Sequence, residues 1–256
     1  MSGPLKTEAV VLRSMRFGEA DRILHLYTPE RGRISAIAKG VRKTRSRFGG
    51  RLEPFFRLNL VLHEGRSDLM TVTSVETVAA YAALRADGAA LDSAARACDA
   101  AARLFDTPEP NPPVFHLLAN ELALLDAGAG GTPHLPSQAT HENQLAFRLK
   151  LLLVAGLAPQ LRACATCGES EHLVGFSGAA GGVVCGACEA GAFRLDAATH
   201  SFLTEALGRP LAQVPVDVGP RVLRQAERAI SETVEHHANT RLRAATARWH
   251  PRDTLP

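Results

Sequence analysis

No stretch of the 256 residues reaches the roughly 18 to 20 consecutive apolar positions that a membrane-spanning helix needs. The N-terminus, MSGPLKTEAVVLRS, lacks the basic, then apolar, then small-residue order of a secretory signal and runs straight into strand-like text. A soluble, cytoplasmic protein is the expectation. The chain also lacks a G-x-x-x-x-G-K-[ST] phosphate loop, and no nucleophile and base announce themselves as a pair. Nucleotide hydrolysis and covalent catalysis therefore have no visible seat, and a non-enzymatic protein is expected. Cysteine is sparse: five residues, at 98, 164, 167, 185 and 188, of which four form two close pairs. That pattern is not the spread framework of a disulfide-stapled secreted domain.

Charge is nearly balanced overall, at +3, and says little about a partner until its distribution is read. Residues 1–80 carry 14 Lys and Arg against 8 Asp and Glu, an excess of six, so the remainder is negative by three. The N-terminal third is the basic part.

The same third reads as five short strands: Thr7 to Ser14, Ile23 to Tyr27, Gly32 to Ala38, Phe55 to His63 and Leu69 to Val78. Leu58, Leu60 and Leu62 alternate with Arg57, Asn59 and Val61, and Glu64 to Ser67 supplies a hairpin turn. Five strands in about 75 residues suit an OB-type barrel, although an SH3-like barrel is written by the same strands. From Ala79 the text becomes alanine-rich and helical to about Asp106, where TPEPNPP forbids a continuous helix. Further helices are expected over Val114 to Ala127, from about Glu142 through the apolar run QLAFRLKLLLVAG, and after Asp196. In the last of these Leu223, Ala226, Ile230 and Val234 recur at helical spacing. The predicted organisation is multidomain α+β: a five-stranded barrel over 1–80, a helical domain over 81–159 that resumes over 193–256, and a cysteine module inserted at 160–192.

Cys164, Cys167, Cys185 and Cys188 read as C-x2-C, a 17-residue gap, and C-x2-C. This spacing matches a four-cysteine zinc site, in which two intervening residues let the chain turn both thiolates toward one ion. Gly168 and Gly186 are placed to permit those tight turns. Four protein ligands leave no open position, so one structural zinc ion is expected, not a catalytic one. Cys98 stands alone in alanine-rich helical text and reads as a buried apolar residue. The ten histidines fall at no ligand spacing with carboxylates.

Between the third and fourth strands, Lys39, Arg42, Lys43, Arg45, Arg47 and Arg51 lie within 13 residues with no acidic residue among them. Gly40, Gly49 and Gly50 leave this loop flexible, and Phe48 sits among the charges as a candidate to stack on a base, or to cover the barrel. Such a loop suits phosphates, with strong salt dependence and little sequence preference. A solvated basic loop, or a seat for an acidic protein tail, is the competing reading.

Three stretches, FGEADRILHLYTPERGRISAIAKGVRKTRSRFGGRLEPF, LKLLLVAGLAPQLRACATCG and FSGAAGGVVCGAC, resemble in order and spacing the RecO family of bacterial DNA repair and recombination proteins. The resemblance runs from about Thr7 to Cys188. It implies an N-terminal OB domain, a helical domain with a zinc module, and a cytoplasmic, nucleoid-associated activity. That activity is sequence-independent binding of single- and double-stranded DNA, annealing of complementary strands, and cooperation with RecR to load RecA onto DNA coated by single-strand-binding protein. It implies a further contact with the C-terminal tail of single-strand-binding protein, for which no residue pattern stands out. Carried onto matching positions, Lys39, Arg42, Lys43, Arg45 and Arg47 are expected to contact the DNA backbone, with Arg33 and Arg51 beside them. Two rival readings remain at this level. One is a zinc-ribbon interaction scaffold without significant DNA binding. The other is a metalloenzyme, which requires an open metal position that four matched cysteines do not leave.

Overall fold

The computed structural model describes residues 3–43, 46–65, 69–129 and 137–243. The chain clusters into two compact units, Met1–Leu135 and Pro136–Pro256.

The first unit opens with five strands: β1 (Leu5–Phe17), β2 (Asp21–Thr28), β3 (Gly32–Ala38), β4 (Arg57–His63) and β5 (Leu69–Ala79). They close into a barrel in the order β1-β2-β3-β5-β4, with β4 returning to β1. Every neighbouring pair is antiparallel except β3 and β5, which run parallel. This connectivity, unlike a strand count, identifies the barrel as the OB type. Alternation builds it. In β3, Ile34, Ala36 and Ala38 turn inward while Arg33, Ser35 and Ile37 face out, and in β4 Leu58, Leu60 and Leu62 fill the core opposite Leu24 and Leu26. The register between β1 and β2 shifts between Val11 and Arg13, a bulge that sharpens the strand's bend around the barrel.

The fourth strand starts two residues later than the apolar text suggests. Phe55 takes a positive φ of 73°, and its N–H donates to Val11 O at 2.7 Å, so this residue turns the chain into β4 instead of extending it. Of the expected hairpin turn, Glu64 and Gly65 are described, while residues 66–68 lie outside the described set.

The helical text after the barrel forms two helices where one was predicted, α1 (Ala82–Ala86) and α2 (Gly88–Leu104). Asp87 is extended and its carboxylate accepts the Ala90 N–H at 2.8 Å, so this residue ends one helix and caps the next. The following helix, α3, spans Pro112–Ala129, two residues earlier than expected. Pro112 and Pro113 occupy its first turn, where a missing N–H costs nothing, and Asn111 Oδ1 accepts from Val114 N at 3.3 Å. The proline-rich loop before α3 lies on the barrel: Arg33 N donates to Thr107 O at 3.3 Å and Asn111 N to Pro29 O at 3.1 Å. Gly32, at φ 53°, is required there, because a Cβ would collide with the Glu109 and Thr107 carbonyls. Within this first unit α1 and α2 pack on α3, whereas the sequence pattern groups all of the helical text into one domain.

The second unit contains α4 (His141–Val154), α5 (Ala197–Gly208) and α6 (Pro220–His237), which pack on one another, and a three-stranded sheet between α4 and α5. Buried positions run almost continuously along α4, as its apolar text predicts. Two side chains differ from that expectation. Arg148 is 3% exposed and pairs with Glu227 of α6 at 2.8 Å, while Leu153 is 51% exposed. The sheet, β7 (Gly182–Cys185), β6 (Leu173–Ser177) and β8 (Phe193–Arg194) in that order, has no counterpart in the sequence reading, since its strands are only two to five residues long. No described helix is long and apolar enough to cross a membrane.

Candidate metal centre and nucleic-acid interface

The four cysteines converge. Their sulfurs all lie within 4.8 Å of one another, with Cys167 Sγ and Cys185 Sγ 3.7 Å apart. A tetrahedral ion at a metal–sulfur distance of about 2.3 Å separates its ligands by roughly 3.8 Å, so the cluster has the dimensions of a coordination shell. Among the described residues this is the one group of three or more His, Cys, Asp or Glu side chains placed to hold a metal.

Two knuckles deliver the sulfurs. In the first, Gly168 N donates to Cys164 O at 2.8 Å with Gly168 at φ 81°, and Ala165 N donates to Val183 O at 2.8 Å, tying the knuckle to β7. In the second, Cys188 N donates to Cys185 O at 3.0 Å. Gly168 thus does what its position promised, whereas Gly186 has no positive φ and open space at its α-carbon. Cys164 and Cys185 pack with Val184, Leu173 and Ala192, so half of the cluster is sealed from water.

The thiols compete for charge. Backbone N–H groups of Cys185 and then of Cys167 hold the Cys164 thiol down to about 6, while the Cys167 side chain is the main influence pushing Cys188 up to about 12. Cys164 ionises readily while Cys167 and Cys188 resist ionising beside it, which is the situation a dication relieves. Four thiolates suit a borderline or soft ion and complete its coordination. Cys98 lies in α2 of the other unit, 2% exposed, with burial pushing its thiol up, and plays no part.

The module is fastened to α6. His237 Nε2 donates to Gly178 O at 2.7 Å, Gly178 N donates to Glu232 Oε2 at 3.4 Å, and the Arg228 guanidinium lies 4.1 Å from the Phe193 ring centroid. These partners were not foreseen, because nothing in the spacing of α6 relates Glu232 and His237 to a turn more than 50 residues earlier.

The basic loop between β3 and β4 is pinned by backbone bonds at its start. Gly40 N donates to Asp21 Oδ1 at 2.8 Å, Arg42 N to Ala20 O at 2.9 Å and Lys43 N to Gly40 O at 3.2 Å. Lys39, Arg42, Lys43, Arg47 and Arg51 are exposed along it, and Arg45 lies outside the described residues. Phe48 is not a stacking surface for a base: it is 1% exposed and packs in the barrel core with Leu52. Arg47 covers its ring, with the guanidinium 4.7 Å from the centroid and directed to Val72 O at 3.5 Å. The loop therefore plugs the barrel with its aromatic and turns its charges outward.

Arg33 does not join this group. It sits at the far end of β3 from Lys39, roughly 20 Å away at the rise of a strand, and its Nη1 donates to Ala102 O at 3.2 Å near the end of α2.

The family described as Recombination protein O N terminal matches residues 1–81, and that described as Recombination protein O C terminal matches residues 85–245. Among curated relatives, a DNA repair protein RecO from Anaeromyxobacter sp. (strain K) is 38% identical over 247 residues, 94% of each chain. One from Rubrobacter xylanophilus is 36% identical over 231 residues, 88% of this chain and 89% of the relative. One from Bifidobacterium adolescentis is 44% identical over 185 residues, 70% of this chain and 72% of the relative. With its OB-type barrel, its helices and its four-cysteine cluster all in place, the chain belongs to the RecO family of DNA repair proteins.

Proposed function

We propose that this protein is a recombination mediator that binds single- and double-stranded DNA without sequence preference and anneals complementary strands. With RecR, it helps load RecA onto DNA coated by single-strand-binding protein. The observation that carries this reading is the pinned loop, which presents Lys39, Arg42, Lys43, Arg47 and Arg51 to solvent on one rim of the barrel. Cations in that arrangement neutralise phosphates of either strand, and no acidic residue lies among them between Lys39 and Arg51. By screening repulsion between two backbones while leaving base edges unread, the loop lets strands pair with no energy source. Arg45 completes the set by its place in the sequence, and Arg33, committed to Ala102 O, is assigned to the fold instead. Cys164, Cys167, Cys185 and Cys188 are assigned to one structural zinc ion, which stabilises the second unit when bound.

The test is the rate at which two complementary oligonucleotides anneal without a nucleotide cofactor. The native chain is compared with a variant carrying Arg42→Ala, Lys43→Ala, Arg45→Ala and Arg47→Ala, after checking fold and metal content. The native protein is expected to anneal and the variant to fail. If neither anneals at low salt, the reading is wrong and a protein-docking role for the metal module takes its place.

A further inference from the structure

With Phe48 buried, the barrel presents a different aromatic to solvent. Phe17, at the end of β1, is 50% exposed, and the strand register places an apolar row beside it. Met15 pairs with Ile23, and Ile23 with Ile37, so three half-buried apolar side chains share one row across β1, β2 and β3 on the outward face. Phe17 shares that face two residues further along β1, opposite Asp21.

Charge surrounds the row. Arg13 flanks it on β1, on the face that Met15 and Phe17 share, and pairs with His25 in the next row. Lys39 follows β3 directly, and the Arg42 N–H to Ala20 O bond holds the basic loop against the turn that begins just after Phe17. Of the carboxylates at this corner, Asp21 accepts from Gly40 N and Glu53 is paired with Arg22, leaving Glu19 in the turn. Burial first, and then Arg33 and Arg13, hold His25 below the ordinary histidine range. A half-buried apolar row ending in an exposed ring and bordered by cations is the surface chemistry of a single-stranded nucleic acid site, in which bases lie on rings and aliphatic groups while phosphates take the charges.

We propose that Phe17, with Met15, Ile23 and Ile37, is a base-contacting platform for single-stranded DNA, continuous with the basic loop. This rests on the DNA-binding reading above and deepens it. A strand held by base faces keeps its pairing edges available to a second strand, which is what annealing demands.

The experiment measures affinity of the full chain for a single-stranded oligonucleotide and for an abasic oligomer of the same length, across a range of salt. Phe17→Ala is expected to lose at least about fivefold in affinity for the base-bearing oligomer. Its salt slope should stay unchanged, and it should bind the abasic oligomer as the native chain does. Phe17→Trp should retain affinity, since a larger ring stacks at least as well. In contrast, the Arg42→Ala, Lys43→Ala and Arg47→Ala variant should lose slope on both oligomers. If the native chain binds neither oligomer, the DNA-binding reading itself has failed. If only the basic variant weakens binding, or if Phe17→Ala weakens both oligomers equally, the platform is refuted and the DNA-binding reading stands. A loss of binding to an acidic peptide with an apolar end, with DNA affinity intact, would likewise overturn it and assign the row to a protein partner.

Discussion

Replacing Phe48 separates the two roles that its neighbourhood of charges allows. The ring is 1% exposed within a core of Leu24, Leu52, Leu58, Leu60 and Val72. An aromatic side chain removes about 200 Å² from water, about 5 kcal/mol at 25 cal/mol per Å². Phe48→Ala also leaves a cavity that the closed barrel cannot readily collapse into, so a loss of about 3 to 5 kcal/mol is expected. The first unit holds 135 residues, and at roughly 2.1 cal/mol/K per residue its unfolding transition should fall by roughly 10 to 18 °C. Phe48→Leu, which keeps most of the apolar volume, should cost no more than about 1.5 kcal/mol. The assay is thermal unfolding of each variant, with oligonucleotide affinity measured well below the transition. Phe48→Leu is expected to bind DNA normally. Should Phe48→Ala keep its transition temperature while Phe48→Leu loses DNA affinity, the ring acts on DNA and the plug argument is refuted.

Cys164→Ser is expected to lower bound metal and the unfolding temperature of the second unit together; unchanged metal stoichiometry, measured by elemental analysis, would refute the four-sulfur site. Glu227→Ala strips the buried Arg148 of its carboxylate at 2.8 Å and should cost about 3 kcal/mol or more in urea unfolding, with a loss below 1 kcal/mol counting against a buried pair. Asp196 caps α5, and hydrogen bonds from the Thr199 hydroxyl and N–H, with Arg221 nearby, hold its carboxyl below the ordinary aspartate range. Its folded-state depression means that this stability is complete above about pH 4 and fades as pH falls through the lower folded value. Asp196→Ala should therefore destabilise by about 1 kcal/mol near neutrality, and the gap from the native chain should narrow in acid; a gap independent of pH would contradict the cap assignment.

The barrel was legible because its strands obey a period of two and its turns carry glycine, so five segments could be placed to within a few residues. The metal cluster was legible because ligand spacing is local: two residues between sulfurs dictate a knuckle wherever the chain then goes. What stayed hidden depends on contacts distant in sequence. Asp87 looks like one more residue in helical text until the Ala90 N–H is seen to need an acceptor. The outward charge of Arg33 is claimed by a carbonyl 69 residues away, and that of Arg148 by a carboxylate 79 residues away. For Phe48 the sequence leaves both stacking on a base and covering the barrel open, since the vacancy it fills exists only once the barrel has closed.

That burial changes how the loop can work. A free basic loop pays, on binding, about 1 to 2 kcal/mol for every residue whose backbone it must order. Here bonds to Asp21 and Ala20 pin one end, and Phe48 and Leu52 anchor the other in the core, which lowers that cost. Phosphate contacts by Lys39, Arg42, Lys43 and Arg47 then cost mainly side-chain freedom, which long cations recover in part by moving between neighbouring phosphates. A loop anchored at both ends, with long cations exposed along it, is suited to a surface that must grip two strands and still let them slide into register. The glycines serve this arrangement by allowing the turns at Gly40 (φ 70°) and Gly49 (φ 56°), and their contribution is a shape that points the apolar residue in and the cations out.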